Sequence, residues 1–173
     1  NSIIRYSEKE NSGNQIIYAD DGTIGNQLFV MGNKLIFNVD ENTYYSNLDG
    51  SSSAKLIDGN IVYMNDNVMV YILQDVSAQY VCLASYNNKS LNRTTDLFFN
   101  IAKGNEIKFL KEYDETLFFY SYNTNETTTL FSVDLNKSES NVIVSLPTQS
   151  NDTRYEYIDI AKIGNMIYPL QAA

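Results

Sequence analysis

Along the chain, short runs rich in Ile, Val, Leu, Phe and Tyr alternate with clusters of Asn, Asp, Gly and Ser. Apolar positions do not recur at helical spacing for more than two turns. The stretch from Ser90 to Lys103 comes closest and has no sustained apolar stripe. The runs have the length and the β-branched and aromatic content of strands, and the clusters between them have turn composition. Fourteen Tyr and eight Phe strengthen that pattern, and only two Pro interrupt it. An all-β chain is predicted.

Hairpins then recur. Gln27–Met31 and Lys34–Val39 flank Gly32-Asn33, and Ile61–Asn65 and Val68–Leu73 flank Asp66-Asn67. Ile107–Tyr113 and Thr116–Tyr122 flank Asp114-Glu115, and Tyr157–Ile163 and Met166–Leu170 flank Gly164-Asn165. Dipeptides such as Gly-Asn supply the positive φ angles of tight hairpins. The turn positions Asn33, Asn67, Glu115 and Asn165 lie 34, 48 and 50 residues apart. A second strand pair follows each of the first three hairpins: Thr43–Leu48 with Ala54–Ile57, Gln79–Tyr86 with Thr95–Ile101, and Thr128–Leu135 with Asn141–Leu146. Four strands per unit at this period predict β-propeller blades, over residues 28–58, 60–102 and 105–147.

The ends complete the count. Ile3–Ser7 and Gln15–Ala19 read as third and fourth strands with no hairpin before them, and the last hairpin has no pair after it. Residues 155–171 joined to 1–20 would make a fourth blade and close the ring of a single domain, removing two free sheet edges. A piece of a longer propeller, a ring built from two chains, and a β-sandwich are the alternatives that this pattern leaves open.

One unit carries a resemblance. It contains Lys34-Leu35-Ile36-Phe37-Asn38-Val39-Asp40, Thr43-Tyr44-Tyr45-Ser46-Asn47-Leu48-Asp49-Gly50-Ser51 and Lys55-Leu56-Ile57-Asp58-Gly59. This resembles the YWTD-type propeller blade of low-density-lipoprotein-receptor relatives, and more closely the bacterial prolow-density-lipoprotein-receptor-like propellers of uncharacterised function. Ile36-Phe37 stands where the Tyr-Trp pair of such a blade would be, so the defining motif is absent. The third unit keeps Leu130-Phe131-Ser132-Val133-Asp134-Leu135 but has Asn136 where the Gly would fall. Membership would imply the blade fold and a secreted or surface-exposed binding or scaffolding role, with no catalytic residue carried over. Tyr44-Tyr45, Phe98-Phe99 and Phe118-Phe119-Tyr120 are expected to fill the space between blades.

Charge and missing residue types narrow the function. The 173 residues suffice for a core without a disulfide or structural metal. Twelve Lys and Arg against 21 Asp and Glu leave a net charge of −9 and no basic cluster, which argues against nucleic-acid binding and docking to an anionic membrane. No apolar run is long enough to span a bilayer as a helix. There is no signal-peptide pattern, and the start at Asn1 suggests that a preceding segment has been removed. Histidine is absent, which removes Ser–His and Cys–His nucleophiles and His-ligated zinc. The single thiol, Cys82, sits in an alternating apolar stretch and is expected to be buried and structural.

Carboxylate pairs are the remaining catalytic constellation: Asp20-Asp21, Asp40-Glu41, Asp114-Glu115, and Glu156 with Asp159. Glycoside hydrolysis needs two carboxyls facing each other across a sugar, and most of these pairs stand at turns where acids are expected anyway. No cofactor is expected. Calcium is the one metal whose ligand types occur in local clusters, at Asp20-Asp21-Gly22 and Asn38-Val39-Asp40-Glu41-Asn42. Sequons occur at Asn88, Asn92, Asn125, Asn136 and Asn151, as an Asn-rich chain produces by chance.

The expectation is therefore a non-catalytic extracellular or cell-surface module that binds a protein or glycan partner through propeller loops, as a monomer or dimer. The alternatives are a carbohydrate-active enzyme and a structural piece of a larger assembly. The Asn, Lys, Ile and Tyr bias suggests a low-GC bacterium. The loops joining blades, and those joining second to third strands, open on one rim, so Asp20, Asp21, Asn42, Tyr122 and Asn123 are the candidate ligand-binding residues.

Overall fold

A computed structural model describes residues 2–7, 12–18, 22–87, 92–97, 103–122, 127–147 and 156–172. Every regular element among them is a β-strand. In chain order these are β1 (Ser2–Ser7), β2 (Ser12–Tyr18), β3 (Ile24–Met31), β4 (Lys34–Val39), β5 (Asn42–Asn47) and β6 (Ala54–Asp58). There follow β7 (Asn60–Met64), β8 (Val68–Gln74), β9 (Gln79–Asn87), β10 (Asn92–Leu97) and β11 (Lys103–Gly104). The last are β12 (Glu106–Tyr113), β13 (Thr116–Tyr122), β14 (Thr127–Asp134), β15 (Glu139–Pro147), β16 (Glu156–Ile163) and β17 (Met166–Ala172).

The sheets follow the predicted grammar. β3-β4-β5-β6 and β12-β13-β14-β15 are four-stranded, and β10-β9-β8-β7 carries β11 as an extra partner of β9. Within β3–β6, within β12–β15, between β7 and β8 and between β9 and β10, neighbours in the chain pair antiparallel, and β11 pairs antiparallel with β9. One expectation is corrected in the middle sheet. The strand expected from Thr95 opens earlier, at Asn92, and meets Leu83–Asn87 of β9, while the Phe98–Ile101 part of that expectation lies outside the described residues and β11 meets Gln79 and Tyr80. The terminal pairs β1-β2 and β16-β17 are two separate two-stranded sheets.

The turn chemistry also differs in detail. In Gly32-Asn33 and Gly164-Asn165 only the glycine takes positive φ, at 55° and 59°. Asp114 and Glu115, both with side chains, take it together at 49° and 60°. Gly50 holds φ at 84° in the Asp49-Gly50 turn, as a position hostile to Cβ requires. Around it Asp49 Oδ1 accepts from the Ser51 N–H at 2.9 Å, and Asn47 Nδ2 donates to Ser51 Oγ at 2.8 Å.

The chain divides into two compact units, Asn1–Leu73 with Leu83–Phe98, and Gln74–Cys82 with Phe99–Ala173. In the first, β4 buries Leu35, Ile36 and Phe37 in succession, so both faces of the strand are covered. Leu35 and Phe37 pack with Ile3, Val39 and Tyr44, and Phe37 stacks on Tyr44 with centroids 6.3 Å apart. The second unit buries Phe118, Tyr120 and Leu130 against Tyr157 and Ile160 of β16. Phe119 lies between Phe109 at 5.3 Å and Phe131 at 5.4 Å. Fully burying one such side chain stabilises the fold by about 1.5–3 kcal/mol. Phe98-Phe99, also expected between blades, lies outside the described residues.

Polar side chains fasten one sheet to the first strand of the next. Asn38, 6% exposed, donates from Nδ2 to the Ile61 carbonyl at 2.9 Å, and its Oδ1 accepts the Ile61 N–H at 3.1 Å. A side-chain amide thus pairs with a backbone as a neighbouring strand would. Thr43 Oγ1 accepts from the same Ile61 N–H at 3.1 Å, and its one proton serves Asn38 Oδ1 or the Gly59 carbonyl, at 2.8 and 2.7 Å. In the second unit, the Ile107 N–H donates to Gln79 Oε1 at 2.6 Å. Buried backbone groups at a sheet junction need partners, and these side chains supply them.

Candidate functional site

Of the five candidate residues, Asp20, Asp21 and Asn123 lie outside the described residues. Asn42 opens β5 and pairs with Val39 on one side and Asp58 on the other. Tyr122 closes β13 opposite Glu106 and Thr128, and its carbonyl accepts the Asn105 N–H at 2.8 Å. Asn42 belongs to the first unit and Tyr122 to the second. Within neither unit does another of the five lie among the described residues.

The rim beside Asn42 is held by its own backbone and by one carboxylate. Asp40, with φ at 52°, turns the chain between β4 and β5. Its Oδ1 accepts the Thr23 N–H at 2.9 Å, and its own N–H donates to the Thr23 carbonyl at 3.0 Å. Gly22 approaches so closely that a Cβ there would stand 2.5 Å from a Val39 methyl and 2.9 Å from the Asp40 carboxylate. The Glu41 carbonyl accepts the Gly59 N–H at 2.9 Å, which ties this turn to the link between β6 and β7. Asn38, a member of the same candidate calcium cluster, turns its oxygen inward to Ile61 and Thr43.

In two of the other pairs one acid is likewise engaged locally. Asp114 Oδ2 meets Lys162 Nζ at 3.0 Å, and Asp159 Oδ1 meets Lys111 Nζ at 3.4 Å. Beside them the Tyr113 hydroxyl donates to the Ile160 carbonyl at 3.0 Å, so three side-chain contacts clamp β16 to β12 and its turn. The Ile160 N–H, and then Lys111, hold the Asp159 carboxyl below the usual range. Lys111 is pushed up, mainly by its bond to Tyr113 and then by Asp159. On β12 the Glu106 carboxylate, 3.0 Å away, raises Lys108 above the ordinary lysine value, with Tyr120 adding to it. In the β14–β15 turn the Lys137 and Asn136 N–H groups point at Asp134, and together with Lys137 Nζ they hold its carboxyl down. Among the described residues no three His, Cys, Asp or Glu side chains gather as a metal site would require.

Cys82 is 3% exposed, as its apolar surroundings predicted. Asn136 lies in the β14–β15 turn and Asn92 starts β10, whereas Asn88, Asn125 and Asn151 are outside the described residues. The junction residues Asn38, Thr43 and Gln79 escaped the reading of the sequence. Their one visible signal is a polar side chain within or at the start of a strand otherwise rich in apolar or aromatic residues.

No known family matches the chain, and no curated protein matches it. Among solved structures it is similar to a chain of a nidogen/laminin complex, at 11% identity and a TM-score of 0.45. The match covers 84% of this chain and 72% of that one. The bacterial propeller family suggested by residues 28–60 therefore stays an expectation.

Proposed function

We propose that the protein is a non-catalytic binding or scaffold module of the cell surface or extracellular space, built as a β-propeller in which β16–β17 and β1–β2 share a fourth blade. The supporting observation is how one acid in each of three candidate pairs is used. Asp40 fastens a turn, Asp114 takes Lys162, and Asp159 takes Lys111 and a backbone N–H. A general acid or nucleophile must instead face a substrate with a pKa tuned to its task, and Asp159 is moved away from a general acid's range. The four-stranded repeat with its rims of turns is a scaffold on which loops carry recognition.

A thermal-shift screen against glycans, cell-wall fragments, Ca²⁺ and candidate surface proteins tests this. A ligand at a hundred times its Kd adds about 2.7 kcal/mol, which raises the Tm of a domain this size by roughly 5–10 °C. Such a rise with a glycan or surface protein is the expected result. Glycan cleavage by the purified protein, abolished by one Asp→Asn substitution, would overturn it.

A further inference from the structure

Two junctions between successive sheets, one in each unit, are fastened differently. In the first unit, the sheet β3–β6 grips the backbone of β7. Asn38 holds both backbone groups of Ile61, and Gln27 Nε2 donates to the Val62 carbonyl at 3.3 Å. β7 is also one strand of a sheet that runs on through β8, β9 and β10. In the second unit, β16 forms a ladder with β17 alone among the described residues. Side chains hold this hairpin to β12–β15. The Tyr113 hydroxyl reaches the Ile160 carbonyl, and Lys111 and Lys162 meet Asp159 and Asp114. Ion pairs between partly solvated side chains such as these add little to stability.

The apolar part of this contact contains a group that opposes it. Tyr157 is 2% exposed and packs with Phe118, Tyr120, Leu130 and Ile160. Its hydroxyl is buried with no hydrogen-bond partner among the described residues. A hydroxyl withdrawn from water without a partner favours any state in which water reaches it again. The ring of Tyr157 therefore anchors the hairpin, while its oxygen weakens the anchor. At the corresponding contact in the first unit, Asn38 and Thr43 bond to β7 and to each other.

We propose that β16–β17 is a detachable strap: it lifts from the β12–β15 sheet before that sheet unfolds, and so uncovers Phe118, Tyr120 and Leu130. This goes beyond the shared-blade reading and concerns contacts within the second unit alone. Lifting separates side chains and breaks no ladder to β12–β15 among the described residues. Segments that open within a native protein are those with few such ties. A two-stranded hairpin is marginally stable by itself in water, so once lifted the amides of β16 and β17 lose their protection.

Amide hydrogen exchange of the full chain, resolved by residue and repeated at low urea concentrations, is the test. Ladder amides of β16 and β17 should exchange about tenfold or more faster than those of β13 and β14. Their urea dependence should also be smaller, because lifting the strap exposes less surface than global unfolding. Tyr157→Phe should slow the exchange of β16–β17 by up to about fivefold. Ile160→Ala, which removes an apolar anchor, should speed it by about tenfold or more, with the sheets intact by circular dichroism. Exchange of β16–β17 at the rate and urea dependence of β13 overturns the proposal. Faster exchange in Tyr157→Phe overturns it as well, since the hydroxyl would then be holding the hairpin down.

Discussion

Replacing Asn38 and Thr43 tests the polar fastening between the first two sheets. In Asn38→Ala the Ile61 carbonyl loses its donor, while the Ile61 N–H keeps Thr43 Oγ1. One buried acceptor without a partner costs about 1–3 kcal/mol, and the void left by the amide adds to it, so the expected loss is about 2–4 kcal/mol. In Thr43→Val the Gly59 carbonyl loses the hydroxyl, while Asn38 still holds both backbone groups of Ile61, so the loss is about 1–2 kcal/mol. The double variant leaves the Ile61 N–H with neither acceptor, a penalty that neither single variant carries. Stability should therefore fall by about 1–2 kcal/mol more than the sum of the singles. Urea unfolding of the four proteins, with m values equal so that midpoints compare directly, measures the coupling. A double loss equal to or smaller than the sum would refute the claim that these side chains jointly satisfy Ile61.

Three further outcomes follow from the same geometry. Gly59 holds φ at 102° with a prospective Cβ 2.7 Å from the Ile72 carbonyl, whereas a Cβ at Gly164 meets nothing within 4 Å. In urea, Gly59→Ala should cost about 3 kcal/mol or more and Gly164→Ala about 1, and equal losses would mean that the β6–β7 link is not sterically fixed. Asp159 has a depressed folded-state pKa, so its contribution is present above the unfolded value near 3.9 and is lost as pH falls through the folded one. Asp159→Asn should flatten the stability–pH curve below about pH 4, and a curve with unchanged acid slope would contradict the clamp. The Tyr157 hydroxyl is buried with no partner among the described residues, and burial raises its pKa. Tyr157→Phe should thus be neutral or stabilising by up to about 1 kcal/mol, and a loss above that would reveal a hydrogen bond to the hydroxyl.

The strand-and-turn grammar was legible because it is local. Period-two alternation, β-branched and aromatic runs, and Gly-Asn or Asp-Gly dipeptides set hairpins within about ten residues, and the pairings of β3, β4 and β5 follow them almost to the residue. The middle sheet's β10 was less exact, for it opens at Asn92 rather than Thr95 and bulges between Arg93 and Thr95, which no local pattern marks. The rim residues were less legible, since a turn acid looks the same whether it meets a ligand or, like Asp40, holds its neighbour's backbone.

What the sequence determined by itself is the all-β class, the four-strand period and the burial of Cys82, all consequences of side-chain preference over short windows. Only the tertiary structure decided how adjacent sheets join. Lys34 opposite Asn47 and Thr116 opposite Asp134 set the same register, and Leu48 and Leu135 each donate to the carbonyl of the preceding turn residue, Asn33 or Glu115. In that register Asn38 and Thr43 occupy the positions of Tyr120 and Leu130. The first pair meets the next strand through hydrogen bonds to Ile61, and the second through apolar contact with Tyr157 and Ile160. Each pair is a reasonable neighbour within its own hairpin. Which of them must satisfy a backbone and which must exclude water depends on a strand about twenty to forty residues away, and the free energy of that contact has no counterpart in the local pattern.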